Sequence, residues 1–483
     1  MDEQSSNVEM LPATSTKMSL VSATLMLAGS IIGTGIFMTP NEVVKVFPSV
    51  FYSLLIWVIC GIISFFAALC YAEMGSKFPS LGGEYTYFKA VFHEMISFAY
   101  LFTNFLLIKP VCIAMLIIFF STTILSIFFT DADKMDWTIR LISFYTILMI
   151  CLLNCLSEKW TIRVNNILTY LKFVAMGIVV GIAIYKLAIG ENQNIKNPGF
   201  GITVSAQNVS KALYNGMWAY DGFNTLGFMV DKIEKPKKNL ILASVFGMTA
   251  VVFSYLLVNF GYLVILGVEK LSNANEVALL CVETYFKKFS FIMAILVGLS
   301  AFSTANSTSY GGGNLYFDAS QCGHFPPILA AYHIKFKTYV PALFVQTVIV
   351  MIYILITTKM ETLLMYFSGA SWVYYSLTFL GVIIARYSDK VKRNQKTSNT
   401  FELWIGIPVF TFIVGVGIVV LGFIDDTQSA IISVSIIICS IPLYFIFVYN
   451  GGVLPQNFKS LVDKYTRKCF QIFSLTDQVE NEE

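Results

Sequence analysis

Gly29-Ser30-Ile31-Ile32-Gly33-Thr34-Gly35 lies in the middle of the first long apolar stretch of the chain, residues 18–47. Lipid offers the backbone no hydrogen-bond partners, so a membrane span has to be an unbroken helix unless something else satisfies it. Three glycines and two hydroxyl residues in seven positions make a poor helix centre. Such a break exposes backbone amides and carbonyls to a ligand at mid-membrane. A second polar interruption, Ala219-Tyr220-Asp221-Gly222, falls in a later apolar stretch. Two interrupted helices at corresponding places in a polytopic chain point to a secondary transporter.

The rest of the composition agrees. The chain is 56% hydrophobic and only 13% charged, about half the charge of an ordinary soluble domain. Stretches long enough to span a bilayer recur along its whole length. Twelve are counted, at 18–47, 50–77, 86–129, 137–157, 164–190, 206–231, 239–267, 288–320, 340–357, 361–387, 402–423 and 428–449. The expected fold class is an all-α membrane protein of about twelve transmembrane helices. It comprises one transporter domain at 18–449, between a polar tail at 1–17 and a second tail at 450–483. The first ten spans fall into two sets of five, each opening with a broken helix, as expected of inverted-topology repeats. A formal net charge of +3 argues against nucleic-acid binding.

Lysine and arginine asymmetry sets orientation. Lys232, Lys235, Lys237 and Lys238 cluster in one loop, and Arg386, Lys390, Lys392, Arg393 and Lys396 in another. Lys159 with Arg163, Lys335 with Lys337, and Lys459, Lys464, Arg467 and Lys468 alternate in phase with them. All fall on one side if both termini are cytoplasmic. The opposite loops are poorer in basic residues, as at Asp131-Ala132-Asp133-Lys134-Met135-Asp136 and Asp425-Asp426. Residues 1–17 lack the pattern of a cleaved signal peptide, so the first span is expected to serve as the signal. Phe458, Leu461, Val462, Tyr465, Cys469 and Phe473 recur at helical spacing, which predicts an amphipathic helix over 455–475. Six of the nine cysteines lie in spans, and only Cys281 reads as exterior, so no exterior disulfide pair is evident. No metal-ligand spacing or cofactor motif occurs.

Three constellations carry chemistry. At Gly33, Thr34 and Gly35 the amides opening the second half-helix carry partial positive charge, which suits a carboxylate. Carbonyls freed near Ser30 and Ile31 suit an ammonium group. One broken helix thus holds both ends of an α-amino acid. Close helix packing through small residues is the competing explanation. In the second break, Asp221 is costly in a span unless it has a partner. Its carboxylate would attract cationic side chains, or it pairs with a structural lysine. Trp218 is large enough to cover a bound substrate, and Asn224 follows in the same turn. Lys172 lies inside the fifth span, where a buried lysine needs a partner. Carbonyls of the first break and the hydroxyls of Ser303 and Thr304 in span eight are expected to supply one. An ammonium there would stand in for a bound sodium ion. Lys109-Pro110 is another cation in a span, beside a helix kink. Glu73 and Glu84 are read as fixing cytoplasmic loop structure. Asn208-Val209-Ser210 is an exterior glycosylation sequon.

With these motifs in view the chain resembles a light subunit of the heteromeric amino acid transporters, the L-type family within the amino acid–polyamine–organocation superfamily. The resemblance runs through nearly all of the spans. It rests on Gly29 to Phe37 with Pro40, on Cys70-Tyr71-Ala72-Glu73-Met74-Gly75 and on Gly82-Gly83-Glu84-Tyr85-Thr86-Tyr87. Later carriers are Ala219 to Asn224, Glu234-Lys235-Pro236, Ser272-Asn273-Ala274, Ala319-Ser320 and Gly323-His324-Phe325-Pro326. It implies a leucine-transporter-like fold and sodium-independent amino acid exchange by alternating access. It implies that Ile31, Thr34 and Gly35 bind the substrate backbone, that Trp218 gates, and that Lys172 matches the family's span-five lysine. An aspartate in the second break resembles members carrying both neutral and cationic amino acids. The implied setting is the plasma membrane.

The chain departs from the family pattern at Phe223, where relatives carry Trp, and at Gly313-Asn314 and Ala319-Ser320-Gln321, where span eight normally carries arginines. Ser371 replaces an arginine of the cystine/glutamate exchangers. The exterior loop 129–137 lacks the cysteine that links light subunits to a glycoprotein heavy chain, so any such partner is expected to be held without a disulfide. A channel would need pore loops or charged rings, and an enzyme a convergent catalytic set; neither is visible. The alternative kept is a transport-inactive amino acid sensor or scaffold on the same fold.

Overall fold

The computed structural model describes residues 17–79, 82–129, 135–196, 199, 205–230, 233–274, 276–336, 338–388, 401–449, 468 and 475–476. The protein is an all-α membrane protein. Among the described residues, ten helical stretches are long and apolar enough to cross a bilayer. Val340–Ile356 is a shorter apolar helix, and Ala206–Ala219 is cut short by the second break. Exposed side chains on Asp136–Leu156 form an apolar stripe of Trp137, Leu141, Tyr145, Leu148 and Leu152. That four-residue rhythm on the outer face is what lipid selects. Serines cap several helices, as where Ser205 Oγ accepts from Asn208 N–H at 3.1 Å. The tail helix expected over 455–475, and most of the exterior loop 129–137, lie outside the described residues.

The first apolar stretch, 18–47, is three pieces: Leu20–Ile31, Gly35–Met38 and Pro40–Val46. The long helix Pro236–Ser272 packs along both Leu20–Ile31 and Val50–Lys77. Ser290–Gln321 packs on Lys109–Leu125 and on Glu158–Ala188. Buried tyrosines fill the interior, among them Tyr71, Tyr214, Tyr220, Tyr255 and Tyr262.

Two expectations, the span at 86–129 and the role of Glu73, are corrected. The stretch 86–129 is not one span. Helix Glu84–Val91 ends at Phe92, and Glu94 opens a new helix capped by His93, whose ring nitrogen accepts from Met95 N–H at 3.1 Å. Further along, Asn104–Ile108 is a π-helical turn leading into Lys109–Leu125. Pro110 has no N–H to give, and Leu106 O, four residues earlier, accepts from Tyr353 Oη at 2.9 Å instead. The segment between spans seven and eight contains a helix, Val277–Phe286, with Glu276 at its start. Glu276 accepts from Thr123 Oγ1 at 2.9 Å, and Asn41 Nδ2 donates to Ala274 O at 2.9 Å. The segment is thereby tied to Pro40–Val46 and to the end of Lys109–Leu125.

Span seven bends at Gly267, whose φ of 74° is left-handed. A Cβ there would meet the Asn194 side chain at 3.1 Å. The bend frees carbonyls, and Asn194 Nδ2 donates to Val264 O and Ile265 O at 3.0 and 3.1 Å. Lys186 Nζ adds a bond to Ile265 O at 3.0 Å.

At the other end of the bundle, Glu73 is completely buried on Val50–Lys77. It accepts from Lys77 Nζ at 2.9 Å, from Arg386 Nε at 2.8 Å and from Leu403 N–H at 3.0 Å. Glu73 therefore fixes more than a loop: it joins span two to span ten and to the segment leading into span eleven.

Candidate functional site

The helical ladder of the first span stops where Ile32 N–H donates to Ala28 O at 2.8 Å. It resumes where Phe37 N–H donates to Thr34 O at 2.9 Å. Between them Gly33, Thr34 and Gly35 bring their amides to the start of the second half-helix. The helix Ala206–Ala219 ends at Tyr220, and residues 220–224 run as a turn into the short 3-10 helix Thr225–Phe228. Gly222 has a φ of 106°, which only glycine adopts without strain.

The two breaks meet. A Cβ on Gly222 would sit 3.3 Å from Ser30 O, and one on Gly35 would lie 2.5 Å from Ala219 Cα. Glycine at both places lets the two chains touch backbone to backbone. Tyr255 joins them: its hydroxyl lies 2.9 Å from Ile31 O and 2.9 Å from Ala219 O. Its one proton is shared between the two carbonyls, one at the end of each first half-helix, groups that lipid would leave unsatisfied. Ser30 spends its own hydroxyl on Met26 O at 2.8 Å, so its carbonyl, not its side chain, faces the second break. Thr34 is buried and gives no side-chain cap.

Lys172 projects from Glu158–Ala188 and donates to Thr304 Oγ1 at 3.0 Å. A Cβ on Gly33 would be 3.7 Å from that same oxygen, so the ammonium, Thr304 and the first break are neighbours. Ser303, expected to share the lysine, is buried with its hydroxyl unbonded among the described residues. The reason is helical phase: adjacent residues point about 100° apart, so only one of the two can face Lys172.

Asp221 Oδ1 accepts from Tyr375 Oη at 2.6 Å. Its hydrogen-bonding partner is thus a tyrosine of span ten and not a lysine. Lys109 acts on it electrostatically from span three. Trp218 packs edge-on against Phe367 at 4.8 Å between centroids, and its indole N–H is unbonded among the described residues. Phe367, Ser371 and Tyr375 lie four residues apart on one face of Met360–Tyr387, toward the second break. Asn224 turns away from Asp221's partner and donates from Nδ2 to Glu84 Oε1 at 2.6 Å. Glu84 is buried, and Tyr100 Oη donates to its other oxygen at 3.2 Å. The loop role expected for Glu84 is therefore replaced by contact with the second break.

Tyr255, Tyr375 and Glu84 were not expected at the site. A tyrosine in an apolar span carries no positional signal in one sequence. Glu84 sits just after Gly82-Gly83, which reads as a turn.

The model of the amino acid permease family matches residues 18–448. The human cystine/glutamate transporter is 32% identical, over 93% of this chain and 89% of its own. The mouse b(0,+)-type amino acid transporter 1 is 29% identical over 98% and 96%. The mouse large neutral amino acids transporter small subunit 2 is 30% identical over 89% and 80%.

Proposed function

The chain belongs to the amino acid permease family, among the L-type amino acid transporters, and from that premise we propose that it exchanges amino acids by alternating access without sodium. It is an amino acid transporter and not an enzyme. The observation that carries the exchange reading is the pair of unwound turns bridged by Tyr255. In this reading Gly33, Thr34 and Gly35 hold the substrate carboxylate, and the Ser30 and Ile31 carbonyls hold the ammonium. Trp218 covers the substrate, Asp221 and Asn224 meet its side chain, and Lys172 on Thr304 takes the place of a sodium ion.

Neutral amino acids are the first substrate class, and Asp221 favours cationic ones as a second. Ser371 offers no positive charge for an acidic side chain. Two sets of five spans, a transporter domain at 18–449 and cytoplasmic tails at 1–17 and 450–483 complete the arrangement. The plasma membrane is the proposed location. The relatives are subunits of heteromeric transporters, and a glycoprotein heavy chain is the proposed partner. Cys281 is buried and unpaired, which supports an association without a disulfide.

Counterflow in proteoliposomes tests this. Vesicles loaded with unlabelled leucine should concentrate external labelled leucine equally in sodium and choline buffers. Binding without counterflow would select the sensor reading, which the missing span-eight arginines favour.

A further inference from the structure

Two carboxylates and one ammonium are set together around the second break. Asp221 is held by Tyr375 at 2.6 Å, and Glu84 by Asn224 at 2.6 Å and Tyr100 at 3.2 Å. Asp221 and Asn224 lie three residues apart on the same turn. Lys109 acts on both carboxylates from span three. The other titratable groups facing the cluster are Tyr71, Tyr87, Tyr100, Tyr375 and Cys112. All five are neutral at physiological pH, since phenols and thiols ionise well above it. Lys172 is engaged on Thr304 and belongs to the other side of the first break. Its ammonium is spent on that hydroxyl and makes no ion pair with either carboxylate among the described residues.

With both acids ionised the cluster therefore carries one uncompensated negative charge. A lone charge in a water-poor interior is expensive and is normally removed by a proton or a counter-ion. Glu84 is the fit place for a proton. It is 1% exposed, and burial pushes its carboxyl up from the ordinary range. Tyr100 donates to Oε2 when the acid is ionised and can accept from it when it is protonated, because a hydroxyl serves either role.

We propose that this cluster holds one exchangeable positive charge: a proton on Glu84 when a neutral amino acid is bound, and the substrate's own side-chain cation when a cationic one is bound. The inference rests on the exchange reading above. Its consequence is a proton movement. When arginine enters and leucine leaves, the entering side chain displaces the Glu84 proton, which departs with leucine. One positive charge goes in and one comes out, so the exchange is electroneutral. Leucine-for-leucine exchange carries a proton each way and is silent.

The test uses the full chain in weakly buffered proteoliposomes holding leucine and the pH dye pyranine. External labelled arginine should alkalinise the lumen by one proton per arginine taken up. A potassium diffusion potential set with valinomycin should leave the rate unchanged. Glu84→Gln fixes the neutral form. Its arginine–leucine exchange should move no proton and should accelerate when the lumen is made negative. Its half-saturating arginine concentration should rise about tenfold relative to leucine's. Arginine uptake by the wild type without a pyranine signal, or failure to accept arginine at all, overturns the proposal. These wild-type measurements stand even if the variant does not fold. Loss of leucine-for-leucine exchange in the wild type would instead sink the exchange reading itself.

Discussion

Lys172 donates from Nζ to Thr304 Oγ1 at 3.0 Å, joining spans five and eight beside the unwound turn at Gly33. A fixed ammonium cannot dissociate as an ion would, so transport should proceed equally in sodium and choline. Lys172→Ala should lower turnover by roughly tenfold or more, a barrier increase of about 1.4 kcal/mol. The amount of protein in the membrane should change little. Initial rates and surface quantification check both points, and uptake that vanishes in choline would refute the assignment.

Asp221 bears on selectivity. Coulomb attraction grows as the local dielectric falls, so its carboxylate should favour a cationic side chain more than water would allow. Asp221→Asn should weaken arginine uptake by roughly ten- to a hundredfold, the range of about 1–3 kcal/mol for a charge-assisted contact. Leucine uptake should fall much less. Equal losses would mean that the Asp221–Tyr375 bond serves only to hold spans six and ten together. Strong glutamate transport by the wild type would contradict the substrate class.

Gly35 and Gly33 should respond differently to the same substitution. A methyl on Gly35 would lie 2.5 Å from Ala219 Cα, against backbone that cannot rotate away. At Gly33 the nearest atom is at 3.7 Å, an ordinary contact. Gly35→Ala should cost about 1–3 kcal/mol or more in overpacking and abolish uptake. Gly33→Ala should stay within a few-fold. Thermal melts of the two purified variants, with uptake alongside, provide the comparison.

Glu276 makes the segment between spans seven and eight pH-sensitive. Burial pushes its carboxyl up to about 8, while an exposed glutamate titrates near 4.5. Between those values the folded state binds a proton that the unfolded state does not. Stability therefore falls as pH rises across that window and levels off above it. The segment Val277–Phe286 should be docked most firmly at the acid end. Melting curves from pH 5 to 9 should show the wild type losing ground to Glu276→Gln as pH rises. Parallel curves would remove the role.

The helical membrane class was legible from composition, and the first break from the density of glycine and hydroxyl residues. Both are local properties that any bilayer penalises. What could not be read is which face each polar residue presents. Ser303 and Thr304 are equivalent as letters, and only helical phase decides that Thr304 meets Lys172. The split at Phe92–His93 is marked only by Lys89, His93 and Glu94, a brief polar interruption between strongly apolar flanks that hydropathy averages away. The contacts of Tyr255 with Ile31 and of Glu84 with Asn224 join residues more than a hundred positions apart, and no spacing rule reaches that far.

Glu73 has a bearing on how genetic screens of this protein would read. It is shared among Lys77, Arg386 and the Leu403 amide, three donors from three segments. A variant losing any one of them leaves buried charge or an idle donor, and the penalty falls on assembly before the transporter meets a substrate. Alleles at Glu73 and Arg386 would thus be scored as loss of uptake while the missing quantity is folded protein in the membrane. Low-temperature growth or a chemical chaperone would rescue such alleles, whereas those at Lys172 would keep slow turnover and those at Asp221 weak arginine uptake at full abundance.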